Sequence, residues 1–138
     1  VEHEGEILRR FQNDFGATVT KEVKAVLKPS AIAKLKKVVE RIHIKDELVR
    51  YIADIVNNTR NNGDLFLGAS PRASLAIIKA AKAQAAISMR DFVIPEDIQY
   101  VLVPILNHRM ILSPEREMEG VEIEDIIREI IKTVEVPR

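Results

Sequence analysis

The residue with the clearest chemical potential is Arg72, which follows Gly68-Ala69-Ser70-Pro71 and opens a segment rich in alanine, isoleucine and leucine. Ser70 has the hydroxyl of a helix cap, and Pro71 brings the fixed φ and missing N–H suited to a first helical position. Arg72 therefore falls in the first turn, whose partial positive charge favours Asp or Glu. A guanidinium there is unfavourable by about 0.3–1 kcal/mol unless an anion is near. From spacing alone two readings stay open. Either the side chain extends to solvent or to an acid elsewhere in the fold, or it points at a phosphate, to which a helix N-terminus and a guanidinium offer N–H donors and charge.

No other set of residues forms a reaction centre. His3, His43 and His108 are far apart and lack metal-ligand spacing, and the chain has no cysteine for a thiolate site or a disulfide. Ser70 and Ser74 have no evident base, and the Gly-x-Ser-x-Gly elbow is missing. The acid pairs Glu96-Asp97 and Glu124-Asp125 fall in predicted first turns, where the helix dipole accounts for them. There is neither a Gly-x-x-x-x-Gly-Lys-Ser/Thr loop nor a strand ending in paired acids to hold magnesium. The sequence offers no catalytic residue and no metal ligand set, and cannot make an ATPase site alone.

The elements that must position Arg72 come from a chain of 138 residues, long enough for one domain to bury roughly 68–70% of its unfolded surface. Twenty-one acidic and twenty-one basic side chains cancel, so no global field draws the chain to nucleic acid. No apolar run reaches the ~20 residues of a membrane span and no signal-peptide layout is visible, so a cytoplasmic protein is expected. The opening Val1-Glu2-His3-Glu4-Gly5-Glu6 lacks an initiator methionine, which suggests a fragment of something longer.

Periodicity predicts a short helix over residues 4–12 carrying Ile7, Leu8 and Phe11, then a loop over 13–27 with a brief helix near 23–27. Pro29-Ser30 opens a helix with Ile32, Leu35, Val39 and Ile42 toward a core and Lys34, Lys36, Lys37 and Glu40 outward. Residues 46–59 carry the stripe Leu48, Tyr51, Ile52, Ile55 and Val56, closed by Asn61-Asn62-Gly63. Leu65-Phe66-Leu67 reads as a loop leading into a central helix that runs to Met89. Residues 90–94 look extended and able to pair with 42–44. Pro95-Glu96-Asp97 starts the next helix, in which Pro104 predicts a kink or break near residues 100–103 before the chain continues through Ile111. After a polar connection over 113–120, Ile123, Ile126, Ile127, Ile130, Ile131 and Val134 form a terminal stripe. The expected fold class is all-α, a compact helical bundle with at most a tiny two-strand clip.

In their order and spacing, Gly68-Ala69-Ser70-Pro71-Arg72-Ala73, the alanine-rich helix, Arg90-Asp91-Phe92-Val93, Pro95-Glu96-Asp97-Ile98, His108-Arg109 and Ile111-Leu112 resemble the C-terminal lid of the MoxR family of AAA+ ATPases. Residues 46–60, Glu119-Gly120-Val121 and the close near Val134 to Pro137 resemble it too, so the likeness covers nearly the whole chain. The resemblance implies that residues 1–28 are the end of an upstream region and a connecting loop, and that 29–138 are a helical AAA+ lid. It implies that Arg72 is the sensor-2 arginine facing the γ-phosphate of ATP, with Ser70 and Pro71 at the helix N-terminus placing it. Mg2+ would be held by an upstream αβ nucleotide-binding domain carrying the Walker motifs. Further implications are a hexameric chaperone-like ring that assembles or activates protein complexes, with neighbouring subunits and proteins bearing von Willebrand A domains as partners.

Two positions depart from the family pattern. Met89 stands where relatives commonly have glycine, and Ile94 stands where they commonly have Thr or Ser, a missing cap worth about 1 kcal/mol. Alternatives are the lid of a magnesium-chelatase-type ATPase, or a small helical adaptor or DNA-binding module using Lys34, Lys36 and Lys37. DNA affinity of such a module would fall steeply with salt.

Overall fold

A computed structural model describes residues 2–12 and 23–137. The chain divides into two compact units, Val1–Ala33 and Lys34–Arg138. In the first, α1 (Glu2–Phe11) begins with Glu2 and Glu4, acids placed where the dipole favours them. The loop expected over 13–22 lies outside the described residues. The brief helix expected near 23–27 does not form. Pro29 biases Lys28 away from the helical region, and the β-branched Val23 and Val26 are exposed, so no packing offsets their poor propensity.

Helix α2 (Pro29–Arg41) starts at its proline as expected, but none of its residues is buried. Ile32 is exposed and Leu35 is 54% exposed, so the expected core face is only a stripe until Val39 is half-buried and Ile42, just beyond the helix, is buried. A period of 3.6 identifies a face without saying what covers it.

The second unit is organised around α4 (Pro71–Ile87), which packs against both α3 (Asp46–Arg60) and α5 (Pro95–Leu106). Its buried residues, Ala73, Ile77, Ala81 and Ala85, recur every fourth position, and three of the four are methyl-sized, which lets the neighbouring helices approach closely. α3 contributes Leu48, Tyr51, Ile52, Ile55 and Val56 to the core. α7 (Ile123–Thr133) docks on α3 and α5 through Ile126, Ile127 and Ile130. Between α5 and α7 in chain order comes the short α6 (Pro114–Met118), capped by the Ser113 hydroxyl and tied back by Arg116, whose Nε donates to Asp64 Oδ1 at 2.8 Å. The described residues hold seven helices and one two-stranded sheet, the all-α bundle expected.

The sheet is not the expected one. Leu65-Phe66-Leu67, read as a loop, forms β1 (Leu65–Leu67), antiparallel to β2 (Ile111–Leu112), with Leu65 opposite Leu112 and Leu67 opposite Ile111. The pairing expected between 42–44 and 90–94 reduces to a single parallel bridge, in which His43 N–H donates to the Asp91 carbonyl and Val93 N–H to that of His43. Apolar triplets carry too few residues to reveal a period or choose a partner. Nor does α5 break at residues 100–103; it runs unbroken past Pro104 to Leu106. Pro104 sits on the exposed side of the last turns, where water can satisfy the carbonyl its ring leaves without a donor.

The C-terminus of α4 explains one departure from the family pattern. Arg90 N–H donates to the Ala85 carbonyl and Met89 N–H to that of Ala86, the paired bonds of a Schellman ending, and Met89 adopts φ 57°. That left-handed position favours glycine, and the Met89 side chain is 96% exposed, with no packing to compensate. Met89→Gly is expected to stabilise the protein by about 0.5–1 kcal/mol, measured by denaturant unfolding. In the same assay Ile127→Ala, emptying a site only 1% exposed, is expected to cost ~2–5 kcal/mol.

Candidate functional site

The first turn of α4 is mounted on the last turn of α3. Thr59, 1% exposed, donates its hydroxyl to the Val56 carbonyl at 2.7 Å and accepts the Ala69 N–H at 2.9 Å. Arg60 Nε donates to the Ala69 carbonyl at 2.8 Å. Both backbone groups of Ala69 are thereby held by α3. The approach is so close that a Cβ on Gly68 would lie 2.4 Å from the Thr59 carbonyl oxygen and 2.8 Å from Arg60 Cα. Only glycine fits there, because the obstruction is helix backbone rather than a movable side chain. Thr59 and Arg60 escaped the sequence reading, since a stripe of period 3.6 gives Thr59 no task that its partner, ten residues on, would reveal.

Ser70 follows with the extended backbone of an N-cap, φ −83° and ψ 165°, and Pro71 is the first helical residue. The hydroxyl of Ser70 makes no cap hydrogen bond, contrary to expectation. The Ala73 N–H that it would have accepted goes instead to the carbonyl of Ser70 itself at 2.8 Å, leaving the exposed hydroxyl to water. Ala73 is fully buried and anchors the turn, whereas Arg72 beside it is exposed. Among the described residues no acid pairs with Arg72 and no hydrogen bond holds its guanidinium. The donors of Arg72 suit an anionic oxygen such as that of a phosphate. Among the described residues no group of three or more His, Cys, Asp or Glu side chains could hold a metal ion. None of the described helices is long and apolar enough to cross a membrane.

At the other end of α4 a second constellation sets the start of α5. Asp97, 3% exposed, receives Arg90 Nη2 at 2.6 Å and Nη1 at 2.8 Å, and accepts the Ile94 N–H at 2.9 Å. Arg90 Nη1 also donates to the Phe92 carbonyl at 3.0 Å. Ile94 has no oxygen with which to cap α5, so only half of a capping box exists, made from the Asp97 side. The helix start put in doubt by Ile94 is fixed from its third residue. Burial pushes the Asp97 carboxyl up, but hydrogen bonds from Arg90 and the Ile94 N–H, with the Arg90 charge, outweigh it and hold the carboxyl below its usual range. Arg90 in turn is held more firmly protonated, chiefly by its hydrogen bonds to Asp97.

The family model described as AAA lid domain matches residues 57–130, a stretch containing the Thr59 to Ala69 mount, Arg72 and the Arg90–Asp97 pair. The chain belongs to the AAA lid domain family. The chain is 46% identical over 103 residues to the uncharacterized protein YeaC of Bacillus subtilis, a match spanning 75% of this chain and 32% of that protein. It is 32% identical over 146 residues to the chaperone MoxR1 of Mycobacterium tuberculosis, spanning 99% of this chain and 37% of that one. A crystal structure of a Cytophaga hutchinsonii protein provisionally designated an ATPase superposes with a TM-score of 0.79 at 31% identity, covering 99% of this chain and 43% of its own. These likenesses put the lid domain in the MoxR family, as the sequence resemblance indicated. The chain spans about a third of the length of these two curated relatives.

Because the Asp97 carboxyl is lowered, the stability it contributes is full above the ordinary carboxylate range near pH 4 and is lost as pH falls through the lowered value. Asp97→Asn is expected to lower stability near neutral pH and to remove this part of the acid limb, followed by urea unfolding from about pH 7 to about pH 2.

Proposed function

We propose that this chain is the nucleotide-sensing lid of a MoxR-type AAA+ ATPase, with Arg72 as its sensor-2 arginine. The observation that carries the reading is the exposed guanidinium in the first turn of α4, without a partner among the described residues, on a backbone that α3 holds from behind. A cation at an electropositive helix end is at odds with its own surroundings, and an incoming phosphate resolves that conflict. In this reading residues 1–28 connect to an upstream αβ domain that holds ATP and Mg2+, and residues 29–138 form the lid.

ATP supplies the γ-phosphate whose presence or loss is sensed. Arg72 contributes charge-assisted donors to it, while Ser70 and Pro71 set where the first turn begins. Because α4 packs against α3 and α5 at once, a pull on Arg72 is transmitted to the second unit as a body. Moving an open–closed balance from 1:99 to 99:1 takes about 5.5 kcal/mol of differential binding. Hydrogen bonds to charged groups contribute roughly 1.5–3 kcal/mol each, so two or three phosphate contacts are of the right size. Coupling of this movement to hydrolysis would serve a chaperone-like ring, whose neighbouring subunits, and partners such as von Willebrand A domain proteins, complete the proposal.

Arg72→Ala in the full-length ATPase is expected to lower ATP hydrolysis roughly 10-fold or more, while the thermal midpoint of the protein is unchanged or slightly raised as an unfavourable dipole contact disappears. Undiminished hydrolysis, or loss of helical folding in the variant, would refute the sensor role.

A further inference from the structure

We infer that Thr59 and Arg60 are positioning residues for Arg72, acting through the single peptide group of Ala69; the inference rests on the sensor reading of Arg72. The first turn of α4 lacks the local supports that usually hold a helix start. Ser70 gives no side-chain cap, the first turn has no acid, and Arg72 opposes the dipole. Left to itself, such a turn frays, and a guanidinium on a long side chain would then sample many positions about a moving Cα.

The support comes instead from α3. The Thr59 hydroxyl takes the Ala69 N–H at 2.9 Å, Arg60 Nε holds the Ala69 carbonyl at 2.8 Å, and Gly68 lets the two segments meet without a Cβ between them. Ala69, at 1% exposure, is three residues from Arg72, too near for slack in the chain to absorb a shift. Thr59 also donates to the Val56 carbonyl at 2.7 Å, which directs its lone pairs toward Ala69. The clamp thus places Arg72 and links any displacement of it to the C-terminal turn of α3.

The test is a mutant cycle in the full-length ATPase, with hydrolysis at saturating ATP and thermal midpoint read in parallel. Thr59→Val keeps the shape and removes the acceptor; Thr59→Ser keeps the hydroxyl; Arg60→Met keeps the stem at an exposed position and removes the donor, so that folding is spared even if Thr59→Val does not fold. Thr59→Val and Arg60→Met are each expected to lower hydrolysis about 5- to 20-fold in the parent, but less than about 2-fold when Arg72 is already Ala, because residues acting through one group are non-additive. Thr59→Ser is expected to retain most of the activity. Equal losses in both backgrounds, or no loss in either, overturn the positioning role while an impaired Arg72→Ala leaves the sensor reading intact. Full activity of Arg72→Ala instead overturns the sensor reading, and the positioning role with it.

Discussion

The lid depends on one backbone contact, the seating of Gly68 and Ala69 on the final turn of α3. Ser70 and Pro71 mark where α4 begins, but a first turn with no side-chain cap and an arginine against its dipole has little to hold it in place against α3, and the hydrophobic stripe of α4 fixes only which face turns inward. The two hydrogen bonds from Thr59 and Arg60 to Ala69 supply the missing coordinate along the helix axis. Buried polar groups are costly when unpaired and specific when paired. Here that specificity sets the register between α3 and α4, and so the place at which Arg72 emerges.

The far end of α4 is governed by the same logic with charge added. Arg90 leaves the helix through a left-handed Met89 and turns back onto Asp97, which simultaneously holds the N-terminal backbone of α5. One carboxylate thereby serves two helices, closing the connection between them and replacing a cap that Ile94 cannot supply. The connections at both ends of α4 are fixed by polar contacts to a neighbouring helix, while along its length buried packing is joined by one exposed bond, from Lys82 Nζ to the Glu40 carbonyl at 3.1 Å.

Much of this was legible in the sequence, and the failures have physical causes. The stripes of α3 and α7 and the start of α4 were plain because 3.6-residue periodicity and a Ser-Pro start are local signals, and the order of motifs pointed to the family. What escaped were contacts between residues nine or ten positions apart, as with Thr59 and Arg60 on Ala69. The role of Asp97 was obscured because the helix dipole already explained an acid there. Three apolar residues fit several partners, so the strand pair cannot be read from them, and amphipathicity marks a face on α2 without revealing how much of it a neighbour covers. Ser70 failed as a cap although its backbone is correct, since its own carbonyl took the donor first.

The alanines of α4 carry a consequence for how this molecule can vary. At Ala73, Ala81 and Ala85 only a methyl group separates the helix from its surroundings, so any larger side chain must displace flanking elements together. Substitution along α4 is therefore channelled to its wet edge, at positions such as Leu75 and Lys79, while the inner edge behaves as a fixed gauge that sets the spacing of the whole bundle.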